Sequence, residues 1–268
     1  MKQRLDVRLV EMGAVESRNR AQALIMAGKV EVNGRTERKS GRLVEPDDQV
    51  AVTAALPFVS RGGVKLNHAL DQFGIDPTGW DVVDVGASTG GFTDCWLQHG
   101  AARVWAVDVG YGQLDWKLRQ DPRVVVLERT NARYLTLSGL GREIPLDGAS
   151  VDASFIGLRL LLEPLAPLIK DGATVVALVK PQFEAGPAKL GRGGVVRQPK
   201  VHEEVLERVV DQARSLAYAV QGLTASPIRG PEGNIEFLLY LVARGHTETT
   251  LNIERVVDEA WKAEESHA

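Results

Sequence analysis

The run Trp80-Asp81-Val82-Val83-Asp84-Val85-Gly86-Ala87-Ser88-Thr89-Gly90-Gly91 decides the fold of this chain. Its first half reads as a buried strand, and it passes without interruption into a glycine-rich turn. Residues 92–98 then read as a helix closed by Gly100, so the segment is a strand, a loop and a helix in succession. A second strand, Arg103-Val104-Trp105-Ala106-Val107-Asp108, ends in an acid 24 residues after Asp84. That is about where nucleotide-binding α/β folds place the carboxylate that accepts hydrogen bonds from ribose hydroxyls. Further strands are predicted at 124–127, 148–154, 174–180, 218–225 and 235–242, alternating with helices such as 158–169 and 201–216. The alternation predicts a doubly wound, Rossmann-like α/β domain.

The glycine spacing narrows the ligand. A dinucleotide site needs G-x-G-x-x-G, because its second glycine admits the pyrophosphate, whereas Gly86, Gly90 and Gly91 are spaced G-x-x-x-G-G. A P-loop needs Gly-Lys-Ser/Thr, and Gly91-Phe92-Thr93 has no lysine. A loop that admits a ligand closely without cradling phosphate suits S-adenosyl-L-methionine, whose ribose is joined to a sulfonium amino acid. The expected cofactor contacts are Gly86, Ala87, Ser88, Thr89, Gly90 and Gly91 from the loop, Asp108 to the ribose hydroxyls, and Asn131 to the adenine edge. No metal is required.

Outward from this body, the charge divides. The 268 residues carry a net charge of -3, but residues 1–42 hold ten Lys and Arg against five Asp and Glu, so an acidic remainder carries a basic head. Such a head suits phosphate-backbone binding by one part and chemistry by the other. Leu5, Leu9 and Met12 recur at helical spacing, and a second helix is predicted between a cap at Ser17 and a stop at Gly28. Lys29-Val30-Glu31-Val32-Asn33-Gly34-Arg35 alternates into an Asn-Gly hairpin signal, and residues 47–52 supply another strand. Arg18 and Arg20 fall in the first turn of the second helix, where backbone N–H groups also favour a phosphate.

Arg4-Leu5-Asp6, Ser17-Arg18-Asn19-Arg20-Ala21 and Gly28-Lys29-Val30-Glu31-Val32-Asn33-Gly34 resemble the S4-type RNA-binding domain. The resemblance implies binding of structured RNA by basic residues, with little base reading of its own. Arg4, Arg18, Arg20, Lys29 and Arg35 are the expected RNA contacts, with Arg61 beyond the junction. The expected organisation is an S4-type domain at 1–55, a linker at 56–63 starting from Ala54-Ala55-Leu56-Pro57, and the α/β domain at 64–268. Gly62-Gly63 predicts a mobile entrance to that domain.

Composition bounds the rest. With 44% hydrophobic and 25% charged residues, 27 Gly and 12 Pro, the chain is globular rather than collagen-like, low-complexity or coiled-coil. The single cysteine, Cys95, allows neither an internal disulfide nor a cysteine-based zinc cluster, and it is expected to be a packing residue. The longest apolar run, residues 237–243, is far too short to span a bilayer, and the N-terminal residues lack a signal-peptide pattern. A cytoplasmic protein without a membrane partner is expected.

Three polar residues stand where a buried sheet would avoid them: Asp152, Lys180 and Glu236. Ligands of open parallel sheets bind outside the carboxyl ends of the strands, so Asp152 and Lys180 should face the glycine loop's crevice. Lys180 follows the apolar run 175–179, and desolvation there would favour the neutral amine needed of a base. A salt bridge to Asp152 or Glu236 is the structural alternative.

Lys65, Asp152, Lys180 and Glu236 resemble the Lys-Asp-Lys-Glu tetrad of FtsJ-type ribose 2'-O-methyltransferases. More closely, the chain resembles the TlyA (hemolysin A) family of ribosomal RNA methyltransferases. The likeness is carried by Val59-Ser60-Arg61-Gly62-Gly63-Val64-Lys65-Leu66, the glycine loop, Ser154-Phe155-Ile156, Lys180-Pro181-Gln182-Phe183-Glu184 and Gly233-Asn234-Ile235-Glu236-Phe237. Phe58, Ala153 and Gly157 stand where Tyr, Val and Ser are usual. The resemblance implies transfer of a methyl group from S-adenosyl-L-methionine to a ribose 2'-hydroxyl, of cytidine, in ribosomal RNA or ribosomal subunits. Lys180 would take the hydroxyl proton, a contribution of ~10²- to 10⁴-fold, while Lys65, Asp152 and Glu236 tune and hold it. The alternatives are an RNA base methyltransferase on the same fold, a membrane-active hemolysin, and a non-catalytic RNA-binding factor. The first would show an Asn/Asp-Pro-Pro-Tyr/Phe loop or a pocket cysteine, and the second a membrane-seeking helix.

Overall fold

A computed structural model describes residues 2–53 and 57–265. The chain divides into two units at the Gly63–Val64 bond. In the first, β1 (Gln3–Arg4), α1 (Leu5–Glu11), α2 (Arg18–Met26), β2 (Val30–Val32), β3 (Arg35–Glu37), β4 (Leu43–Val44) and β5 (Val50–Val52) follow in order. Leu5 and Leu9 of α1 and Ala21, Leu24 and Ile25 of α2 pack with Val30, Val32 and Val44 into a small core. The Ser17 hydroxyl accepts a hydrogen bond from the backbone N–H of Arg20, so the first turn of α2 is capped by the chain itself. Asn33 and Gly34 both have positive φ, 53° and 73°, the geometry of a two-residue hairpin, and β2 pairs with β3 on one side and β5 on the other.

Leu56, the first residue of the linker predicted at 56–63, lies outside the described residues, as do Ala54 and Ala55 before it. Residues 57–63 differ from a bare tether. Phe58 is buried, its carbonyl accepts from Arg20 Nη1 at 2.7 Å, and helix α3 (Gly62–Phe73) already includes both glycines of the expected mobile entrance. A Cβ on Gly63 would lie 2.3 Å from Phe58 Cγ, so this glycine is explained by close packing.

The second unit continues with β6 (Asp81–Val85), α4 (Gly91–Gln98), β7 (Arg103–Val107), α5 (Trp116–Arg119), β8 (Val124–Leu127), β9 (Leu146–Val151), α6 (Arg159–Leu165) and β10 (Ile169–Val179). It closes with α7 (Pro181–Glu184), α8 (Pro199–Ser215), β11 (Tyr218–Ala225), β12 (Phe237–Ala243) and α9 (Ile253–Glu265). Among the described residues the sheet has seven strands in the order β11-β12-β10-β9-β6-β7-β8. β6 to β10 are parallel, and β12 runs antiparallel between β10 and β11. The connection from β11 to β12 holds no helix, which is why these two strands turn back as an antiparallel pair. α8 buries Val201, Val205, Leu206, Val209, Val210 and Ala213 on one face, the pattern of a helix laid against a core.

Two boundaries move. β9 stops at Val151, not at 154, since Phe155 adopts φ +62°, which no strand accommodates. β10 starts at Ile169, ahead of 174, and the preceding helix ends at Leu165 because Pro164 and Pro167 interrupt its hydrogen bonding. Chain order reverses between β6 and β9: β7 and β8 lie on one side of β6, and β9 and β10 on the other. The crevice at that reversal is where an open α/β sheet holds its ligand.

Candidate active site

Two lysine–carboxylate pairs stand at the carboxyl ends of the parallel strands. Asp152 is the first residue beyond β9, its N–H still donating to Val85 O at 2.9 Å. Lys180 is the first beyond β10 and caps α7, whose Pro181 fits the first helical position. Glu236 immediately precedes β12, and because β12 is antiparallel, its start lies where β10 ends: Phe237 pairs with Val179. Lys65 reaches the same group from α3. The tetrad residues expected from the sequence are thus brought together by four different elements.

The pairs are built differently. Lys65 Nζ donates to Glu236 Oε2 at 2.5 Å, with side-chain exposures of 10% and 1%. Gln182 Nε2 lies 3.4 Å from the other oxygen of Glu236, and a Cβ on Gly230 would approach that oxygen to 2.7 Å, so glycine there leaves the carboxylate its place. Lys180 Nζ lies 2.6 Å from Asp152 Oδ1, close enough for an ion pair but off the line of a good hydrogen bond, since that oxygen has no aligned donor. Lys180 also donates to Ser154 Oγ at 3.1 Å. Ser154 takes one hydrogen-bonding direction of this amino group, which leaves it others to direct at a ligand.

Beside this pair stands Phe155, 88% exposed, with its ring 4.8 Å from that of Phe183. A bulky residue at positive φ is strained, and strain of this kind is held where function needs it. Ser154, Phe155 and Gln182 have no role that the sequence motifs around them declare. Their signal was adjacency to the charged residues, and their roles appear only with side-chain geometry.

The glycine loop packs on β7. The N–H groups of Gly86 and Ala87 donate to Val107 O, and Ser88 N–H donates to Asp108 Oδ2 at 2.8 Å. Gly110 N–H donates to Asp108 Oδ1 at 2.7 Å. Asp108 is thereby tied to the loop, while Ser88 is exposed and Thr89 partly so. The glycines have an internal reason as well. A Cβ on Gly86 would lie 2.5 Å from Asp152 O, and one on Gly90 would lie 2.2 Å from Leu118 Cδ1. Both have positive φ, and Gly90 caps α4. Their absence of side chains serves the close crossing of β6 and β9 and the seat of α5, whatever ligand approaches. Asn131 spends its side-chain oxygen on the Arg133 N–H, capping a short 3-10 turn.

Under the loop lies a carboxylate with no cation. Asp84 is fully buried and accepts from Thr93 Oγ1 at 2.7 Å and Ser150 Oγ at 2.8 Å, while Trp96 Nε1 donates to Ser150 Oγ at 2.9 Å. Burial pushes its carboxyl up to about 6, against the lowering effect of the two hydroxyls. Cys95, also buried, is pushed well above the usual thiol range by desolvation and packs in α4. Among the described residues no group of three or more His, Cys, Asp or Glu side chains is placed to hold a metal, and no helix is long and apolar enough to cross a membrane.

In the first unit, Asp6 organises the cations. It is fully buried and accepts from Arg4, Arg18 and Gln22, and the Arg4 guanidinium above all holds its carboxyl far below the usual carboxylate range. Arg4 and Arg18 are thereby held together with about half of each side chain exposed. Arg20 is committed to the Phe58 carbonyl, and Arg35 is exposed on β3. Lys29 and Arg61 are partly exposed.

Residues 58–243 match the model of the FtsJ-like methyltransferases, and residues 3–50 match that of the S4 domain. A Bacillus subtilis protein provisionally named an rRNA methyltransferase is 48% identical, the alignment covering 97% of this chain and 95% of that one. The 16S/23S rRNA (cytidine-2'-O)-methyltransferase TlyA of Mycobacterium tuberculosis is 44% identical over 97% of this chain and 96% of its own. A solved structure from Streptococcus thermophilus, provisionally named a hemolysin, superimposes with a TM-score of 0.80 at 43% identity over 99% of this chain and 98% of that chain. With matches of this extent in both parts, the chain belongs to the TlyA family of FtsJ-like methyltransferases, an S4 domain joined to a methyltransferase domain.

Proposed function

We propose that this protein methylates a ribose 2'-hydroxyl of cytidine in ribosomal RNA, with S-adenosyl-L-methionine as methyl donor and in the cytoplasm. The carrying observation is the meeting of two lysine–carboxylate pairs at the point where the strand order reverses. The cofactor suits the donor set of the glycine loop. Asp108 uses one lone pair on each oxygen for a backbone N–H and keeps others for a vicinal diol, and the loop from Gly86 to Gly91 has no cation for a phosphate. When bound, the cofactor supplies an electrophilic methyl group on sulfur.

Lys180, as the free amine, is the residue to direct the 2'-oxygen and take its proton as the methyl carbon–oxygen bond forms and the carbon–sulfur bond breaks; Asp152 at 2.6 Å stabilises the ammonium so produced. Ser154 fixes the direction of the amine. Lys65, Glu236 and Gln182 hold the neighbouring wall, and the exposed face of Phe155 suits stacking by an unpaired base. Alignment of oxygen, methyl and sulfur supplies the remaining acceleration. The S4 unit, with Arg4 and Arg18 held by Asp6 and with Arg20, Lys29, Arg35 and Arg61 around it, is the part suited to the phosphate backbone.

The test is methyl transfer from labelled S-adenosyl-L-methionine to ribosomal subunits and to bare ribosomal RNA, by wild type and Lys180→Ala, followed by nucleoside analysis. The expected product is 2'-O-methylcytidine, lost in the variant. Label on a base would overturn the mechanism while leaving the fold assignment intact.

A further inference from the structure

Asn234 is the member of the Gly233-Asn234-Ile235-Glu236-Phe237 run that the proposed reaction leaves unused. Its residue is 2% exposed. Its Oδ1 accepts from Val196 N–H at 3.0 Å, and its Nδ2 donates to Gly194 O at 3.2 Å. An amide that accepts from one backbone group through Oδ1 and donates to the other through Nδ2 has a single orientation. Its own carbonyl accepts from Gly230 N–H at 3.0 Å, and Gly230 is the glycine that makes room for the Glu236 carboxylate. Asn234 thus joins the segment that seats Glu236 to the loop between α7 and α8.

That loop has a definite shape. Gly191 N–H donates to Val195 O at 2.9 Å, Gly194 N–H donates to Gly191 O at 3.1 Å, and Gly193 and Gly194 have φ of 77° and 72°. Val196 anchors it in the core and half-buried Leu190 packs against that core, while Pro187 to Lys189, residues 191–193 and Arg197 are exposed; of the cations Lys189, Arg192 and Arg197, Lys189 is paired with Glu204. The loop leaves the sheet shortly after Lys180, on the opposite side of the strand reversal from the glycine loop and Asp108. A glycine-rich, cationic turn that rests on two side-chain hydrogen bonds at its base, on the side away from the cofactor loop, is suited to the backbone of a nucleic acid.

Resting on the methyl-transfer reading above, we propose that Asn234 is a positioning residue that pins the 186–197 loop as an RNA-contacting arm, with Arg192 and Arg197 meeting substrate phosphates. The role is specific to the RNA and does not extend to the cofactor.

The experiment uses the full chain with ribosomal RNA as substrate and compares wild type, Asn234→Ala and the double variant Arg192→Ala/Arg197→Ala. Asn234→Ala is expected to raise KM for RNA about tenfold with a smaller change in kcat, and to leave the Kd of S-adenosylhomocysteine within about twofold. It is also expected to speed tryptic nicking after Arg192 and Arg197. The double variant is expected to raise KM similarly and to flatten the salt dependence of RNA binding by about one to two phosphate contacts. Unchanged KM in the double variant, or Asn234→Ala with unaltered nicking or with a matching loss of cofactor affinity, overturns the proposal. If Asn234→Ala does not fold, the double variant decides alone. Wild-type transfer to RNA separates the two claims: if it occurs, the variants test the arm; if it does not, the methyl-transfer reading fails and the arm with it.

Discussion

The two lysine–carboxylate pairs at the strand ends have the same charges and different construction. Lys65–Glu236 is short, aligned and nearly sealed, and Glu236 is also reached by Gln182. Lys180–Asp152 has a partly exposed carboxylate, a poorly aligned contact and a lysine shared with Ser154. A sealed pair with its hydrogen-bonding directions committed suits scaffolding, because any rearrangement would strand a buried charge. A pair with a spare donor direction and an open side can exchange partners when substrate arrives. Under the proposed function the difference fits chemistry at Lys180 and support at Lys65, although the sequence presents them as members of one tetrad.

The comparison breaks first at activity. Lys180→Ala should lower single-turnover methyl transfer by about 10²- to 10⁴-fold, with a smaller loss of stability than Lys65→Ala because the Asp152 side chain is 20% exposed and that of Glu236 only 1%. A fall of less than tenfold would move the proton to another group. Lys65→Ala should show the reverse emphasis, a loss of unfolding free energy of about 3–5 kcal/mol in urea titration, since it strands Glu236 without its cation. Equal stability losses in the two variants would erase the distinction between a sealed and an open pair.

Asp84 is the control, a carboxylate on the neighbouring strand whose partners are the Thr93 and Ser150 hydroxyls and the Thr93 backbone N–H. Its carboxyl is raised to about 6, so between about pH 4 and 6 the folded chain keeps a proton that the unfolded chain releases. Stability therefore declines as pH rises through that window, by on the order of 2–3 kcal/mol, and is flat above it. Asp84→Asn should lose this slope, so the difference between wild-type and variant unfolding free energies should carry it; a difference that stays flat from about pH 4 to 6 would show that burial does not raise this carboxyl. The smallest effect is expected at Phe155→Ala, a rise in KM for RNA of roughly tenfold, or about 1–2 kcal/mol, from a lost stacking face. A change in kcat with unaltered KM would assign that ring to Lys180 rather than to the RNA.

Charge on carboxylates follows the same logic in the first unit. Asp6 is as buried as Asp84, but two guanidinium groups and an amide donate to it, and its carboxyl is lowered rather than raised. Burial alone decides neither sign. The partner's charge does.

Much of this was legible in the residues. The strand running into Gly86, the acid at Asp108, the cap at Ser17 and the Asn-Gly hairpin are local signals, and each element formed where neighbours along the chain demanded it. The gaps arose where a residue's reason lies across the fold. Gly86 and Gly90 read as room for a ligand and are also room for Asp152 O and for Leu118. Gly63 read as mobility and is a seat for Phe58. Asn131 read as an adenine contact, yet its side-chain oxygen caps a turn.

Sequence by itself determined the composition of the candidate site, two lysines and two acids spread over 172 positions from Lys65 to Glu236, and the α/β order that carries them. It could do so because element type depends on periodicity and turn chemistry within a few residues. Only the tertiary structure decided which lysine meets which acid, that β12 runs antiparallel and so delivers Glu236 to the end of β10, and that Asn234 clasps a loop some forty residues earlier in the chain. Those outcomes are set by strand register and by the directions of hydrogen bonds between distant segments, quantities that no local pattern encodes.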